Sequence, residues 1–467
     1  MDQITNNFKA VGFETRPSAS NGVGSALLLP SIFVLTSVTH YVPPIYQAFT
    51  FASLGLLSYS IIFILYANTS CSILKKTTFS GATPLSIVFT ILIYTFTELD
   101  LLKCAVVSFT NLHLYSHLLR YALKSFPKTF TVGEAMVVSQ SVVLFITGAA
   151  MTRFIQRDEI DEEEYFFQSI IFTLLTTVAF IVTTLCYLNE IARNLKSLSL
   201  IIVVAATIEI FLLFLFIGPH AVPKMLDLLF SSSYRIKILI LWLSLVLIAV
   251  VVLIIQTMMG IKASTSTRKT FHLLAASVFL TGVLGDVLLM SLAAGVGLGL
   301  LILVEGLRKS RIEPISLALE SAFVTYSDEK DCGSFAMTPI YLFCGLACPL
   351  VLVPSYEHFT LELLSGVLSI GVGDTAASFF GSKFGRIKWP GSNKTVEGMV
   401  CNALSQLLLV ITLQYFALLP AGPNILRTAI AAVITALVEI NTDQVDNLIL
   451  PLVAMATFRA TSLVIKI

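Results

Sequence analysis

Long apolar stretches follow one another along almost the whole chain, separated by short polar segments. The clear ones cover 26–42, 49–67, 132–152, 169–187, 198–218, 236–258, 337–353, 361–380, 399–419, 425–440 and 448–465, and less certain ones cover 84–94, 104–123 and 271–304. A helix satisfies its own backbone hydrogen bonds in lipid. Since roughly 20 apolar residues span a bilayer, the pattern predicts an all-α, polytopic integral membrane bundle with about 13 to 15 transmembrane helices.

Composition agrees with this prediction. Of 467 residues, 56% are hydrophobic and only 12% are charged, about half the charged fraction of a typical soluble domain. The polar segments are too short to form a soluble domain of useful size. The net charge of +1 favours no charged partner, and we expect the lipid bilayer, but no nucleic acid, as a partner.

Basic residues in short loops orient the C-terminal half, because such loops favour the cytoplasmic side. One basic cluster lies at Arg308–Arg311 and another at Lys383–Lys394. Two predicted spans separate the clusters, so both lie on the same membrane face, which is expected to be cytoplasmic. The polar segments on that face are 321–335, 382–398 and 441–447. A soluble nucleotide can reach them there.

The most informative segment runs from Ser369 to Gly398, where glycines and basic residues alternate after a predicted span. The glycines are Gly371, Gly373, Gly381, Gly385, Gly391 and Gly398, and the basic residues are Lys383, Arg386, Lys388 and Lys394. Glycines let backbone N–H groups approach an anion, and basic side chains bind phosphates. Asp374 and Glu397 can hold Mg²⁺ or another divalent cation against those phosphates. Phosphoryl transfer needs little more than such positioning and charge neutralisation.

Helix packing on glycines, followed by an ordinary positive-inside loop, is the alternative for this segment. It does not explain Asp374, since an ionisable group at the end of a span is costly unless it is functional. The segment is not a P-loop, because it lacks the G-x-x-x-x-G-K-[ST] motif. It also lacks the motifs of protein kinases.

The motifs of this segment resemble the signature of the dolichol kinase family. They are Gly373-Asp-Thr375, Gly381-Ser-x-x-Gly385, Trp389-Pro-Gly391 and Lys394-Thr-x-Glu-Gly398. The resemblance extends downstream to Glu439, Gln444-Val-Asp-Asn-Leu448 and Pro451, and upstream to Arg268-Lys-x-Phe-His272, Glu305, Arg308 and Asp328-Glu-Lys-Asp-x-Gly333.

The resemblance implies a CTP-dependent lipid kinase that transfers the γ-phosphate of CTP to the terminal hydroxyl of dolichol. The product would be dolichyl phosphate for N-glycosylation, made in the endoplasmic reticulum membrane with the catalytic loop facing the cytosol. The residues implied to bind CTP are Gly373, Thr375, Ser382, Lys383, Gly385, Arg386, Lys388, Trp389, Pro390, Gly391, Lys394, Thr395, Glu397 and Asn447. Asp374, Asp446 and Asp331 are the candidate catalytic acids, and Asp374 and Glu397 are expected to hold the metal.

We divide the chain into a polar N-terminal tail (1–22), an N-terminal transmembrane region (23–260) and a C-terminal catalytic transmembrane region (261–467) with the CTP-binding loop 382–397. Two other functions stay open. One is another CTP-using lipid enzyme, either a phytol or diacylglycerol kinase or a phosphatidate cytidylyltransferase. The other is a transporter, which intramembrane acids such as Asp286 would fit, although inverted repeats are not apparent.

Some of these polar residues have structural alternatives. Asp286 lies in an apolar stretch, where Arg268, Lys269 or a helix end would satisfy its carboxylate. Asp446 and Asn447 precede a predicted span, where they would cap a helix. The sequence does not indicate the oligomeric state.

Overall fold

The computed structural model describes residues 2–18, 20–69, 81–155, 161–259, 265–326, 331, 333, 335–356, 359–392, 394–420 and 422–465. Across these residues the chain is helical and forms no β-strand. The α-helices are α1 (Asp2–Val11), α2 (Leu28–Thr39), α3 (Pro44–Thr69), α4 (Ala82–Phe96), α5 (Leu101–Ser125), α6 (Val132–Ile155), α7 (Glu162–Tyr187), α8 (Leu195–Phe216), α9 (Ala221–Phe230), α10 (Ser233–Met259), α11 (Thr265–Gly285), α12 (Val287–Lys309), α13 (Ile315–Tyr326), α14 (Met337–Leu352), α15 (Thr360–Leu363), α16 (Thr375–Phe384), α17 (Val396–Tyr415), α18 (Asn424–Asn441) and α19 (Asp446–Val464). Short 3₁₀ turns cover Val23–Leu27 and Glu190–Ala192, and a π-helical segment covers Val367–Asp374.

Nine of the helices in the described ranges are long and apolar enough to cross a membrane. They are α3, residues Val132–Met151 of α6, α7, α8, α10, α12, α17, α18 and α19. Shorter apolar helices cover Val23–Thr39, Ala82–Phe96, Ile315–Thr325 and Met337–Leu352. The predicted class, an all-helical multi-pass membrane protein, is confirmed, and the number of 13 to 15 crossings stays a prediction.

The spans differ in how far the protein covers them. The apolar stretch of α10 has a mean hydropathy of 3.5 but is only 11% buried, whereas that of α19 is 67% buried. On α19, Leu450, Ala454 and Phe458 are fully buried at a spacing of four residues, which forms one continuous face. This helix packs against α2, α14, α18 and the π-helical segment. It is therefore a central helix, and it unites the N-terminal spans with the C-terminal ones.

The glycine-rich segment contains a close contact between two helices and, between those helices, a tight turn. Helices α16 and α17 touch through their backbones, because a Cβ on Gly381 would lie 3.4 Å from Cα of Gly398. Packing of small residues thus accounts for these two glycines. Between the helices, the amide of Ser392 donates to the Trp389 carbonyl at 3.1 Å across Pro390 and Gly391. Gly391 has φ +75°, which a type II turn requires at its third position, with proline favoured at the second.

This turn reverses the chain and directs its second arm back towards the helices. An isolated antiparallel bridge pairs Lys388 with Thr395, and Thr395 then caps α17 by accepting a hydrogen bond from the Gly398 amide at 3.2 Å. The described residues of the loop, 382–392 and 394–397, consequently form a hairpin. Its first arm is exposed, and its second arm places Lys394 against the helix ends.

Candidate active site

A cavity of about 370 Å³ lies where the ends of several helices converge. Its lining residues are Arg268, Lys269 and His272 of α11, Thr338 of α14, Asp374, Ala377, Ser378, Gly381 and Ser382 around α16, Lys394, Thr395, Gly398 and Met399 around α17, Glu439 and Ile440 of α18, and Val445, Asp446 and Asn447 at the start of α19. Segments 382–398 and 441–447, which parity placed on one membrane face, therefore meet here. No described residue of segment 321–335 lines the cavity, but Asp331 of that segment accepts a hydrogen bond from the amide of Thr338, which does.

Asp374 is the most deeply buried acid of the cavity, with 3% of its surface exposed. Its carboxylate forms an ion pair with the ammonium group of Lys269 on α11. A buried carboxylate is costly unless it is paired. The pair therefore keeps Asp374 charged at the end of the π-helical segment, a type of helix that often marks functional positions.

Lys394 lies between two carboxylates from different helices. Its Nζ is 3.1 Å from Oε1 of Glu439 and 3.6 Å from Oδ2 of Asp446, and it also donates to the backbone carbonyl of Glu439. Burial alone lowers the pKa of the Lys394 ammonium group, but Asp446 and Glu439 raise it by more, and the pKa ends above its ordinary value. The side chain is thus a fixed positive charge at neutral pH.

Two buried amide side chains, which extend from the interior of the bundle, form a chain of hydrogen bonds to the Glu439 carboxylate. Asn402 donates to Oε2 of Glu439 at 3.0 Å, and Gln406 donates to Oδ1 of Asn402 at 2.6 Å and to Thr435 at 3.1 Å. Asn402 and Gln406 are both fully buried. Because polar groups within lipid are expensive, this network fixes the Glu439 carboxylate and orients it towards Lys394.

His272 connects α11 to the beginning of α19. One ring nitrogen lies 3.2 Å from the Arg268 carbonyl, and the other lies 3.3 Å from Oδ1 of Asn447. Helix α19 begins at Asp446, and its N-cap residue is Val445, whose side chain makes no capping hydrogen bond. The capping alternative for Asp446 and Asn447 is therefore wrong. Asp446 lines the cavity, and Asn447 contacts His272.

Several residues predicted to bind the nucleotide lie outside the cavity lining. Lys383, Arg386 and Lys388 are exposed on α16 and on the first arm of the hairpin. Nζ of Lys383 lies 5.7 Å and 5.5 Å from the ring centroids of Phe379 and Phe384. These three cations form a positive rim beside the cavity. Of the predicted basic set, Lys394 is the member that lines it.

Glu397, a predicted metal ligand, also lies outside the lining. Its two carboxylate oxygens accept hydrogen bonds from the Ile387 amide at 3.1 and 3.2 Å. On the same hairpin, Nε1 of Trp389 donates to Oδ1 of Asn441 at 3.0 Å. Glu397 and Trp389 therefore attach the hairpin to α17 and α18, and Pro390 and Gly391 form its turn.

Gly373, Thr375 and Gly385 contribute to packing. A Cβ on Gly373 would collide with the side chains of Asn402 and Gln406, and Thr375 is buried at the start of α16. Gly385 follows the last residue of α16, and a Cβ on it would collide with the side chain of Thr395. Of the predicted nucleotide-binding residues, the lining contains Ser382, Lys394, Thr395 and Asn447.

Asp331, the third candidate catalytic acid, is placed at the beginning of α14. Its Oδ1 accepts hydrogen bonds from the amides of Met337 and Thr338, both at 3.1 Å. Its carboxylate therefore satisfies two of the free N–H groups at this helix end. Of the motif at 328–333, residues 328–330 and Cys332 lie outside the described residues.

Asp286 lies away from this cavity. It is the N-cap residue of α12, accepts a hydrogen bond from the Leu289 amide at 2.9 Å, and pairs with Nε of Arg235 at 2.7 Å. The expected helix end is confirmed, but the expected partners Arg268 and Lys269 were wrong. Lys269 pairs with Asp374 instead, since both line the cavity.

Lys269 and Glu439 belong to the motifs of the family resemblance and line the cavity, but they were not among the predicted site residues. A signal for Glu439 was present, because an acid near the end of the apolar stretch 425–440 is costly without a partner. Lys269 and His272 are three residues apart and share one helix face. That spacing would have placed both next to whichever helix α11 contacts.

Comparison with known proteins agrees with the family resemblance of the sequence motifs. A family model described as dolichol kinase matches residues 82–391. Curated dolichol kinases are 30% identical over 349 residues in Mus musculus (70% of this chain, 64% of that protein) and 34% identical over 249 residues in Homo sapiens (49% and 45%). The dolichol kinase sec59 of Schizosaccharomyces pombe is 31% identical over 196 residues (41% and 39%). The chain thus matches less than two thirds of each relative's length, and no solved structure matches it.

Proposed function

This chain belongs to the dolichol kinase family, and we propose that it transfers the γ-phosphate of CTP to the terminal hydroxyl of dolichol. The observation that carries the proposal is the cavity, which brings three cations and three carboxylates together. The cations are Arg268, Lys269 and Lys394, and the carboxylates are Asp374, Glu439 and Asp446. A triphosphate with a divalent cation needs charges of both signs, and phosphoryl transfer depends mainly on such positioning.

The neighbouring surface suits a lipid acceptor. On α16, Phe379, Phe380 and Phe384 are 46%, 40% and 55% exposed, and on α17, Leu404 and Leu408 are 59% and 65% exposed. Apolar side chains on the outside of membrane helices face lipid tails. A polyprenol can therefore keep its chain in the bilayer while its hydroxyl reaches the cavity. The exposed basic rim favours the cytosolic side of the endoplasmic reticulum membrane for this cavity.

The carboxylates suit Mg²⁺ held together with phosphates. No group of three or more His, Cys, Asp or Glu that could hold a metal occurs in the described residues. Mg²⁺ is usually held by one or two carboxylates plus substrate phosphates, and Asp374 meets that need. When bound, the ion neutralises charge on the transferred phosphate. Glu397 instead holds the hairpin, since both its oxygens accept from Ile387.

The two lysines of the cavity are paired with carboxylates, and phosphate oxygens can take the place of those carboxylates. Lys269 pairs with Asp374, and Lys394 pairs with Glu439 and Asp446. A triphosphate offers each ammonium group new oxygen atoms. The carboxylates are then released to face the metal and the acceptor. The phosphates consequently lie between α11 and the hairpin, held by Lys269, Arg268 and Lys394.

In the transfer step, the dolichol hydroxyl oxygen forms a bond to the γ-phosphorus while the bond from that phosphorus to the β–γ bridging oxygen breaks. CDP leaves with the electron pair of that bond. We assign the orientation of the hydroxyl and acceptance of its proton to Asp446. Asp374 is assigned to the metal, and Asp331 caps α14 outside the cavity lining, which leaves Asp446 as the lining acid of the predicted three for this role.

The position of a radioactive label tests the proposal. Purified full-length protein is incubated with dolichol, Mg²⁺ and CTP labelled at either the α- or the γ-phosphate. We expect label in the lipid from γ-labelled CTP alone, loss of transfer with EDTA, and its return with excess Mg²⁺. Label from α-labelled CTP would indicate a cytidylyltransferase. No labelled lipid from folded protein, or preference for phytol or diacylglycerol over dolichol, would overturn the assignment.

A further inference from the structure

A buried ion pair joins the polar N-terminal segment to the first turn of α6, in the half of the chain that the transfer step does not use. Glu134 is fully buried and Arg16 is 6% exposed. The Arg16 guanidinium group donates to both carboxylate oxygens of Glu134, and its Nη2 also lies 3.5 Å from the carbonyl oxygen of Asp443. A buried pair is retained only when further hydrogen bonds satisfy its remaining polar atoms.

Those further bonds lead directly to the loop before α19. Glu134 accepts from the Thr131 amide and from the Val445 amide, both at 2.9 Å. Val445 is the N-cap residue of α19 and immediately precedes Asp446. In a capping box, an acid within the same helix accepts from the N-cap amide. Here an acid from a distant helix does so, and its negative charge also favours the positive end of α19.

A second connection fixes the same loop. Oγ1 of Thr131 donates to Oε1 of Gln444, and Nε2 of Gln444 donates to the carbonyl of Ser20 at 3.2 Å. Gly22 has φ +65°, and a Cβ there would overlap the Gln444 side chain. Arg16, Ser20, Gly22 and the segment 131–134 thus hold the loop 442–445 through both backbone and side-chain contacts.

The other side of this loop faces the cavity. Asp446 lies 3.6 Å from Lys394, and Asn447 lies 3.3 Å from His272. We propose that Arg16 and Glu134 are positioning residues for the transfer site, acting through the Val445 amide on Asp446. The activity part of this inference rests on the proposed function. A displacement near 1 Å can lower the rate on the order of 100-fold when the reacting groups must be aligned.

A double-mutant cycle on the full-length protein tests the coupling. We expect Glu134→Gln to lower kcat for phosphate transfer from CTP to dolichol by about 100-fold. Because Glu134 acts through Asp446, the variant that combines Glu134→Gln with Asp446→Asn should be no slower than Asp446→Asn alone. Residues that act separately would give rate losses that multiply. Multiplying losses, or an unchanged kcat in folded Glu134→Gln, would overturn the inference.

Glu362→Gln is the matched control, because Glu362 is also buried and ion-paired, with Arg427, near the opposite end of α18 from Glu439. It should keep kcat, which would exclude a general effect of removing a buried acid. Arg16→Lys is the second variant in case Glu134→Gln does not fold. It keeps the charge, but a single ammonium group does not form a two-pronged contact with Glu134 and Asp443. It should lower kcat in the same direction and show the same coupling to Asp446→Asn.

Hydrogen–deuterium exchange gives a readout that does not depend on catalysis. In Glu134→Gln, the Val445 amide should exchange at least about tenfold faster, since it loses a hydrogen bond to a charged acceptor. Peptides covering 424–430 should keep their wild-type exchange. If wild-type protein labels no lipid, the proposed function fails, and the exchange result still decides this inference. Unchanged protection of Val445 in folded Glu134→Gln would contradict it.

Discussion

Two clusters of buried or partly buried charged side chains lie towards opposite ends of α18 and α19. Arg427 and Glu439 are both on α18, twelve residues apart, or about 18 Å along the helix axis. Arg427 and Arg459 meet Glu362 at one end, and Lys394 meets Glu439 and Asp446 at the other. Both clusters pair cations with carboxylates, two arginines with one carboxylate at the first end and one lysine with two carboxylates at the second, and their surroundings differ.

The cluster at Glu362 is closed. Nη2 of Arg427 donates to Oε1 of Glu362 at 2.6 Å and to the Phe458 carbonyl at 2.8 Å. The guanidinium carbon of Arg459, which is fully buried, lies 3.8 Å from the ring centroid of Phe359. These charges contact helix backbones and an aromatic ring, which fixes α15, α18 and α19 against one another.

The cluster at Lys394 is open. Its ammonium group contacts carboxylates at 3.1 and 3.6 Å beside a cavity large enough for phosphates. A buried charge is therefore not sufficient to indicate an active site. The distinguishing property is a cavity into which a ligand can enter and exchange partners with the charged groups. The three predictions below test this difference through variants at both ends.

The largest effect is expected at Asp374. Asp374→Asn removes the charge that pairs with Lys269 and is assigned to the metal. Because preorganised charges stabilise the transferring phosphate, kcat should fall on the order of 1000-fold. The measurement is transfer of γ-phosphate from CTP to dolichol by folded, detergent-purified protein.

Asp331→Asn is the control for that variant. Asparagine caps helices about as well as aspartate, so both α14 and the activity should survive. Near-normal turnover in Asp374→Asn would remove Asp374 from the transfer site, and a comparable loss in Asp331→Asn would place an essential acid outside the cavity lining.

The next effect compares two lysines of the same predicted loop. Lys394→Ala removes a fixed charge from the cavity and should lower kcat/KM for CTP about 100-fold. Lys383→Ala removes an exposed charge that lies beside Phe379 and Phe384. Its effect on kcat/KM should be small and should shrink further as salt increases, because exposed charges are screened. Equal losses in the two variants would show that the exposed rim grips the nucleotide.

The sequence was informative wherever the physical cause is local. Apolar length predicted the spans, and basic loops with parity placed segments 382–398 and 441–447 together. Asp374 stood out because an ionisable group at the end of a span is costly. Lys394 was predicted only as one of four phosphate-binding cations, and its difference from Lys383 could not be predicted, because it depends on how the type II turn at Gly391 reverses the hairpin.

Contacts between distant parts of the chain were not predictable in the same way. Arg16 and Glu134 are 118 residues apart, and the Val445 amide is a further 311 residues along the chain. No local pattern links such positions, and the polar N-terminal tail was read as a separate region for that reason. Lys269 and Asp374, 105 residues apart, meet only because α11 packs beside the π-helical segment.

The smallest effect on turnover is expected at the closed cluster. Glu362→Gln leaves Arg427 and Arg459 buried without a negative partner, which should lower the free energy of unfolding by about 3 kcal/mol. Since Glu362, Arg427 and Arg459 are not among the residues that line the cavity, kcat of the folded fraction should match the wild type. Thermal unfolding in detergent, with activity measured below the transition, separates the two quantities. If Glu362→Gln kept its stability but lost kcat, the closed cluster would be coupled to transfer, and the open cavity would no longer distinguish the two ends.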